Sequence, residues 1–401
     1  MKRRVAAAIV ATAAAFALVP AMAQKNAPGI SDTEIRIGQT FAYSGPVSSF
    51  SAIPKAELAY FKMVNERGGV NGRKINLISV DDGYQPSRAL EQTRKLVEQE
   101  GVAFIYGSLG TGLNMALRPY LNGRKVPHLF IASPLVEFGD PAKFPWTMGW
   151  QATNELDGVA TGRYILQNKP DAKIGILYQN DDFGKGFIRG VRNALGDKAD
   201  RMIVAQASYE TTDATIDSQI TTLRAAGADT FINIAIPKFA AQAIRIAHDS
   251  GWKPLQFLTY SSNSISLTLK PAGLDKSTGI LSTQFYKDPT DPDWDKDPGM
   301  AEWRAWQKKY YPDADPADAN IVFGYTRAQT LVHVLKQCGD DLSRENIMRQ
   351  AANIKNLELP LLFPGIRLNT SPTNFHPVQQ LQMRRFDGTR WQSVGSLMKA
   401  A

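Results

Sequence analysis

Two pairs of adjacent carboxylates, Asp81-Asp82 and Asp181-Asp182, each follow an apolar segment and are the side chains best suited by type to acid–base chemistry. Neighbouring carboxyls can act as proton donor and acceptor to one substrate. The same dipeptides close turns and cap helices, because a short acidic side chain reaches the free N–H groups of the next turn. No nucleophile–base arrangement is legible beside them, so the turn-and-cap reading is preferred. The four histidines, His128, His248, His333 and His376, lie far apart, and the single cysteine, Cys338, cannot complete a ligand set with them. No metal or cofactor is expected. A G-x-S-x-G elbow is missing, which disfavours that class of hydrolase.

A different kind of chemistry sits in Gly107-Ser108-Leu109-Gly110-Thr111-Gly112. The stretch has neither the Gly-Lys-Ser/Thr ending of a phosphate loop nor the order of a dinucleotide turn. What remains is a pliable turn feeding a helix start, with unpaired N–H donors and about half a positive charge. A carboxylate or an amide carbonyl suits such a terminus, and Thr111 adds a hydroxyl.

The elements that position these residues alternate. Apolar strands are predicted over 34–40, 74–81, 103–107 and 128–132, and a second series over 173–178, 202–208, 230–236 and 255–259. Between them run stripes of helical period, such as Ile216, Ile220, Leu223 and Leu90, Thr93, Val97, with Pro86 placed for a first helical turn. Such alternation implies α/β architecture: parallel sheets covered by helices, in two similar Rossmann-like lobes that meet near 146–151. Asp288 to Pro298, rich in Asp and Pro, is expected to be a surface loop. Cys338 ends a helical apolar run and is expected to be buried packing.

The chain opens with Lys2-Arg3-Arg4, an apolar run from Val5 to Val19 too short for a membrane span, and Ala21-Met22-Ala23. That order predicts a signal peptide over 1–23, cut after Ala23, and hence export to the periplasm. The formal net charge of +8 includes the three leader cations, and the remaining excess is scattered. No basic block interleaved with aromatics suggests nucleic acid. A single cysteine permits no internal disulfide, so the core must supply stability.

Several of these stretches together resemble one family. Ser44-Gly45-Pro46, Gly68-Gly69-Val70-Asn71-Gly72-Arg73-Lys74 followed by Asp81-Asp82, Ser133-Pro134 and Phe183-Gly184-Lys185-Gly186 are similar to the periplasmic substrate-binding proteins of branched-chain amino acid (Liv/HAAT-type) ABC transporters, the leucine-binding protein-like group. The resemblance spans almost the whole chain after the leader. It implies the type I periplasmic-binding fold: two hinged α/β lobes joined by three crossovers. Lobe one would comprise 27–149 and 283–376, and lobe two 150–282 and 377–401. It also implies a ligand-binding set. The aromatic after the Gly-Pro motif falls on Phe50. The carboxylate-binding loop falls on Leu109, Gly110 and Thr111, and its second half on Ser133, Pro134 and Val136. The lobe-two walls fall on Phe183 and Ile236. The acid that grips a ligand ammonium falls on Ser261 and Ser262, where this chain has no acid; Glu137 is the nearest candidate substitute. Tyr84 and Tyr260 are further candidate walls.

The resemblance implies the solute-binding component of an ABC importer, active in amino-acid transport or in transport of an amide or an aromatic or apolar carboxylate. Ligand would dock on lobe one, and closure would bring Phe183, Ser261 and Ser262 onto it. The expected partners are an inner-membrane permease and its ATPase, and the protein is expected to be a monomer and not an enzyme. A sensor of the same fold feeding a signalling partner is the alternative. An exported hydrolase or other enzyme using Asp81, Asp82 or His128 is the remote one.

Overall fold

The structure, a computed structural model, describes residues 26–399. The expected leader and its cleavage after Ala23 therefore lie outside the described residues. Five strands form a first sheet: β1 (Glu34–Phe41), β2 (Lys74–Asp81), β3 (Ile105–Tyr106), β4 (His128–Ile131) and β5 (Thr147–Gly149). They are all parallel, in the order β2-β1-β3-β4-β5. A second sheet contains β6 (Ile174–Gln179), β7 (Ile203–Tyr209), β8 (Thr230–Ile234), β9 (Leu255–Leu258) and β10 (Leu281–Gln284), followed by β11 (Gln380–Phe386), β12 (Trp391–Ser393) and β13 (Met398–Lys399). Its order is β12-β11-β10-β9-β8-β6-β7, with β13 also on β11; β11 runs antiparallel to β10, β12 and β13.

The eight strands predicted from sequence are all present. The two sheets repeat one winding, with the second strand at the edge beside the first and the third on its other side. Strands covered on both faces read as apolar runs: Ile174, Ile176 and Leu177 of β6 are fully buried, as are Ile35 and Ile37 of β1. β7, at an edge, alternates half-buried with exposed residues. Short β5 and β10 carry too little apolar periodicity to be read from sequence. β5 is a strand because buried β4 lies beside it, and β10 because β9 and β11 flank it.

The chain passes between the sheets where Trp150 and Phe285 follow β5 and β10. Both rings pack on Phe323 of the helix Ala319–Gln337, with Trp150 at 4.9 Å, and Trp150 Nε1 donates to Thr330 Oγ1 at 3.0 Å. The crossovers are thereby welded to one long helix. Cys338 caps that helix and is buried, as expected.

One expectation needs correction. The acidic stretch 288–298 is not simply a solvated loop. Asp291 is fully buried against Arg384 of β11 at 2.9 Å, and Asp288 is buried with Thr290 N and Oγ1 donating to it at 2.9 and 2.6 Å. Composition signalled a turn. It could not signal that a cation 93 residues later would receive one of its acids. Among the described residues no helix is long and apolar enough to cross a membrane.

Candidate functional site

The carboxyl ends of strands from both sheets meet at one cavity, in which the centre of a water molecule has about 80 Å³ of room. In wound α/β sheets this end is where helix starts and loop amides point, and it is the usual place for a ligand. The turn after β2 delivers Tyr84, the turn after β3 Leu109 to Thr111, and the turn after β4 Ala132 to Pro134. From the second sheet Phe183 follows β6, Ile236 follows β8, Tyr260 and Ser261 follow β9, and Tyr286 follows β10. Phe50 and Ile53 close one side, Gln151 one crossover, and Asn320 and Phe323 the back.

The polar end belongs to the first lobe. Gly110 is the N-cap of the helix Thr111–Gly123 and has no side chain to cap it. The first helical bond is Asn114 N to Gly110 O at 3.2 Å, so Thr111, Gly112 and Leu113 have no helical acceptor for their amides. Gly110 is required twice over: its φ is +98°, and a Cβ there would lie 2.7 Å from the Tyr84 ring. Thr111 Oγ1 and Ser133 Oγ are 2.7 Å apart, and both residues are 2% exposed. Two hydroxyls sharing one hydrogen bond leave one hydroxyl hydrogen uncommitted. The turn is fixed from behind. Asn114 Nδ2 donates to Gly110 O at 2.6 Å and Ser108 O at 3.0 Å, so its Oδ1 must accept from His128 Nε2 at 2.8 Å. Burial holds the His128 pKa down at about 3, and the ring is a neutral donor. His128 is thus a positioning residue, away from the cavity.

The opposite wall is mostly apolar. Tyr209 Oη accepts from Ile236 N at 2.9 Å, which fixes that corner. Tyr260 Oη donates to Ala152 O at 2.5 Å and accepts from Gln151 Nε2 at 3.1 Å. Behind Tyr260, Asp157 accepts from Tyr260 N, Thr259 Oγ1 and Thr283 Oγ1; burial pushes its carboxyl up to about 7 in spite of these donors.

Of the residues assigned to the ligand from sequence, Phe50, Leu109, Gly110, Thr111, Ser133, Pro134, Phe183, Ile236 and Ser261 all line the cavity. Val136 and Ser262 are not in its lining. The carbonyl of Val136 accepts from His376 Nε2 at 2.8 Å, and Ser262 Oγ is buried and donates to Ala235 O at 2.5 Å. The substitute acid Glu137 is committed to Arg189 Nη2 at 3.0 Å, beside Glu155 on the same guanidinium at 2.7 Å. Tyr84 lines the cavity from the left-handed region (φ +62°), its N–H held by Asp82 Oδ1 at 2.8 Å. Sequence reasoning missed Ile53, Ala132, Gln151, Tyr286, Asn320 and Phe323. No local signal marks them, since topology brings them in.

The acid pairs do turn-and-cap work. Asp81 accepts from Tyr43 N, Ser44 N, Ser44 Oγ and Gly83 N, and Asp181 caps the helix Asp182–Leu195 through Phe183 N and Gly184 N. Among the described residues no group of three His, Cys, Asp or Glu side chains is placed to hold a metal.

The sequence profile of the periplasmic binding protein family matches residues 34–390. The chain belongs to that family. Its members and structural neighbours are substrate-binding proteins rather than enzymes. Among its relatives is the Leu/Ile/Val-binding protein homolog 7 of Brucella abortus, 23% identical over 330 residues that cover 80% of each chain. A branched chain amino acid ABC transporter protein from Thermus thermophilus with bound valine superposes with a TM-score of 0.82 at 19% identity, covering 93% of this chain and 98% of that one. A solute binding protein of an ABC transporter from R. palustris, in complex with benzoate, superposes at 0.75 with 19% identity, covering 92% and 98%. The fold is that of the type I periplasmic-binding proteins.

Proposed function

We propose that this protein captures a small organic solute between its two lobes and delivers it to an inner-membrane ABC permease and its ATPase. The lobes are taken as 27–149 with 283–376 and 150–282 with 377–401, although the boundary after 282 falls inside β10, whose Thr283 and Gln284 still belong to the second sheet. The observation that carries the reading is the cavity at the carboxyl ends of both sheets, with free amides and a hydroxyl on one side and apolar rings on the other. The protein would act in the periplasm as a monomer, after removal of the leader at Ala23.

Ligand docks first on the Gly110–Thr111 turn, and closure brings Phe183, Ile236 and Ser261 onto its body. The closed state gains in proportion to the ligand's preference for it, and no covalent step is needed. Solutes in scope are branched-chain amino acids, amides, and aromatic or apolar carboxylates. Tryptophan fluorescence or a melting-temperature shift against such a panel tests this. Saturable binding of at least one solute is expected, and a flat response to every one of them would refute capture.

A further inference from the structure

Among the described residues lining the cavity, none is Asp, Glu, Lys, Arg or His. A ligand brings its own charges into this desolvated space, and each must find a partner there. A carboxylate has one. The uncapped amide of Thr111, at the start of the helix Thr111–Gly123, and the uncommitted hydroxyl of the Thr111–Ser133 pair are both donors, and both residues line the same end of the cavity. An α-ammonium is different. It needs acceptors, ideally anionic ones, close to that same carboxylate.

Three acids near the wall are engaged elsewhere, and a fourth, Asp82, holds the Tyr84 amide with Oδ1, keeps Oδ2 unpartnered and is fully buried outside the lining. Asp157 sits behind Tyr260 with three donors on it; Asp181 caps its own helix and takes Gln179 Nε2 at 2.7 Å; Glu137 pairs with Arg189. Ser262, where the family resemblance places the ammonium-binding acid, donates to a backbone carbonyl. We propose that the cavity selects monocarboxylates that carry no α-ammonium, with an aromatic or apolar body packed between Phe183, Phe323 and Tyr84. The proposal rests on the capture reading above and narrows its ligand class.

The test compares solutes differing at one group: 3-phenylpropanoate with phenylalanine and with 3-phenylpropanamide, and 4-methylpentanoate with leucine, by calorimetry on the purified protein. The acids are expected to bind at least tenfold more tightly than the matching amino acids and than the amide. Amino acids that bind as tightly as the acids would overturn the selectivity while leaving capture intact, and an amide equal to its acid would overturn the carboxylate assignment. No binding by any member of either set, or by any wider solute, would remove capture itself. Ser261→Asp adds an acid to the wall. It is expected to weaken the acids at least tenfold and to narrow their lead over the amino acids; an unchanged lead would count against the proposal.

Discussion

Successive turns of the helix Ala319–Gln337 serve two very different environments. Asn320 and Phe323 face the cleft, whose lining carries no charge among the described residues; Arg327, one turn on, is fully buried against Glu57. In that core Arg327 Nε meets Glu57 Oε1 at 2.7 Å, Tyr106 Oη donates to the same oxygen at 3.0 Å, and Gln39 Nε2 donates to Oε2 at 2.8 Å. Burial pushes the Glu57 carboxyl up, and those three partners pull it back. The comparison teaches that this chain tolerates a buried ion where an opposite charge meets it. In the cleft it supplies only dipoles, so the ligand's charge has to suit them.

The largest effect expected breaks the core side of that comparison. Arg327→Met leaves Glu57 buried without its cation and should cost about 3–5 kcal/mol in a denaturant melt, and adding Glu57→Leu should recover most of it. A single substitution without measurable loss would show that the pair is not matched as described. Asp157 is an intermediate case, a buried carboxyl with donors but no cation. Its folded pKa, about 7, lies above the ordinary 3.8. The folded state therefore holds a proton that the unfolded state releases. The associated stability is complete below about pH 4 and is lost as pH rises through about 7, on the order of 4 kcal/mol in all. Asp157→Asn should flatten the change in unfolding free energy between pH 5 and pH 8.

In the cleft, Phe183→Ala should weaken a ligand with an aromatic or branched body by about 1.5–3 kcal/mol, and a small polar one far less. Equal losses for both would show that the wall does not grip the body. Thr111→Ala should cost about 1 kcal/mol of ligand affinity in calorimetry, the worth of one hydrogen bond. Smallest is the rim. Arg189 of the helix Asp182–Leu195 reaches Glu137 across the mouth, and both are more than a third exposed. Glu137→Gln should lower affinity by less than about 1 kcal/mol, and 0.5 M salt should remove the difference.

Much of this molecule is local in origin. Apolar period and turn chemistry act over a few residues, and they marked eight strands, the Gly107–Gly112 turn with Thr111, the turn at Asp81 and the cap at Asp181. The lobe-two walls and Phe50 came from family resemblance rather than from any rule of spacing. The choice of partners was not local. Whether an acid caps a turn, neutralises a distant arginine or faces a ligand depends on which segments the winding brings beside it. Asp291 and Arg384, Glu137 and Arg189, and Ser262 and Ala235 O are joined only in the folded chain. The sequence by itself determined two wound sheets with a helix start poised at their edge. The tertiary structure alone decided that, among the described residues, no charged side chain lines the space between them, because that depends on where the winding places each nearby carboxylate.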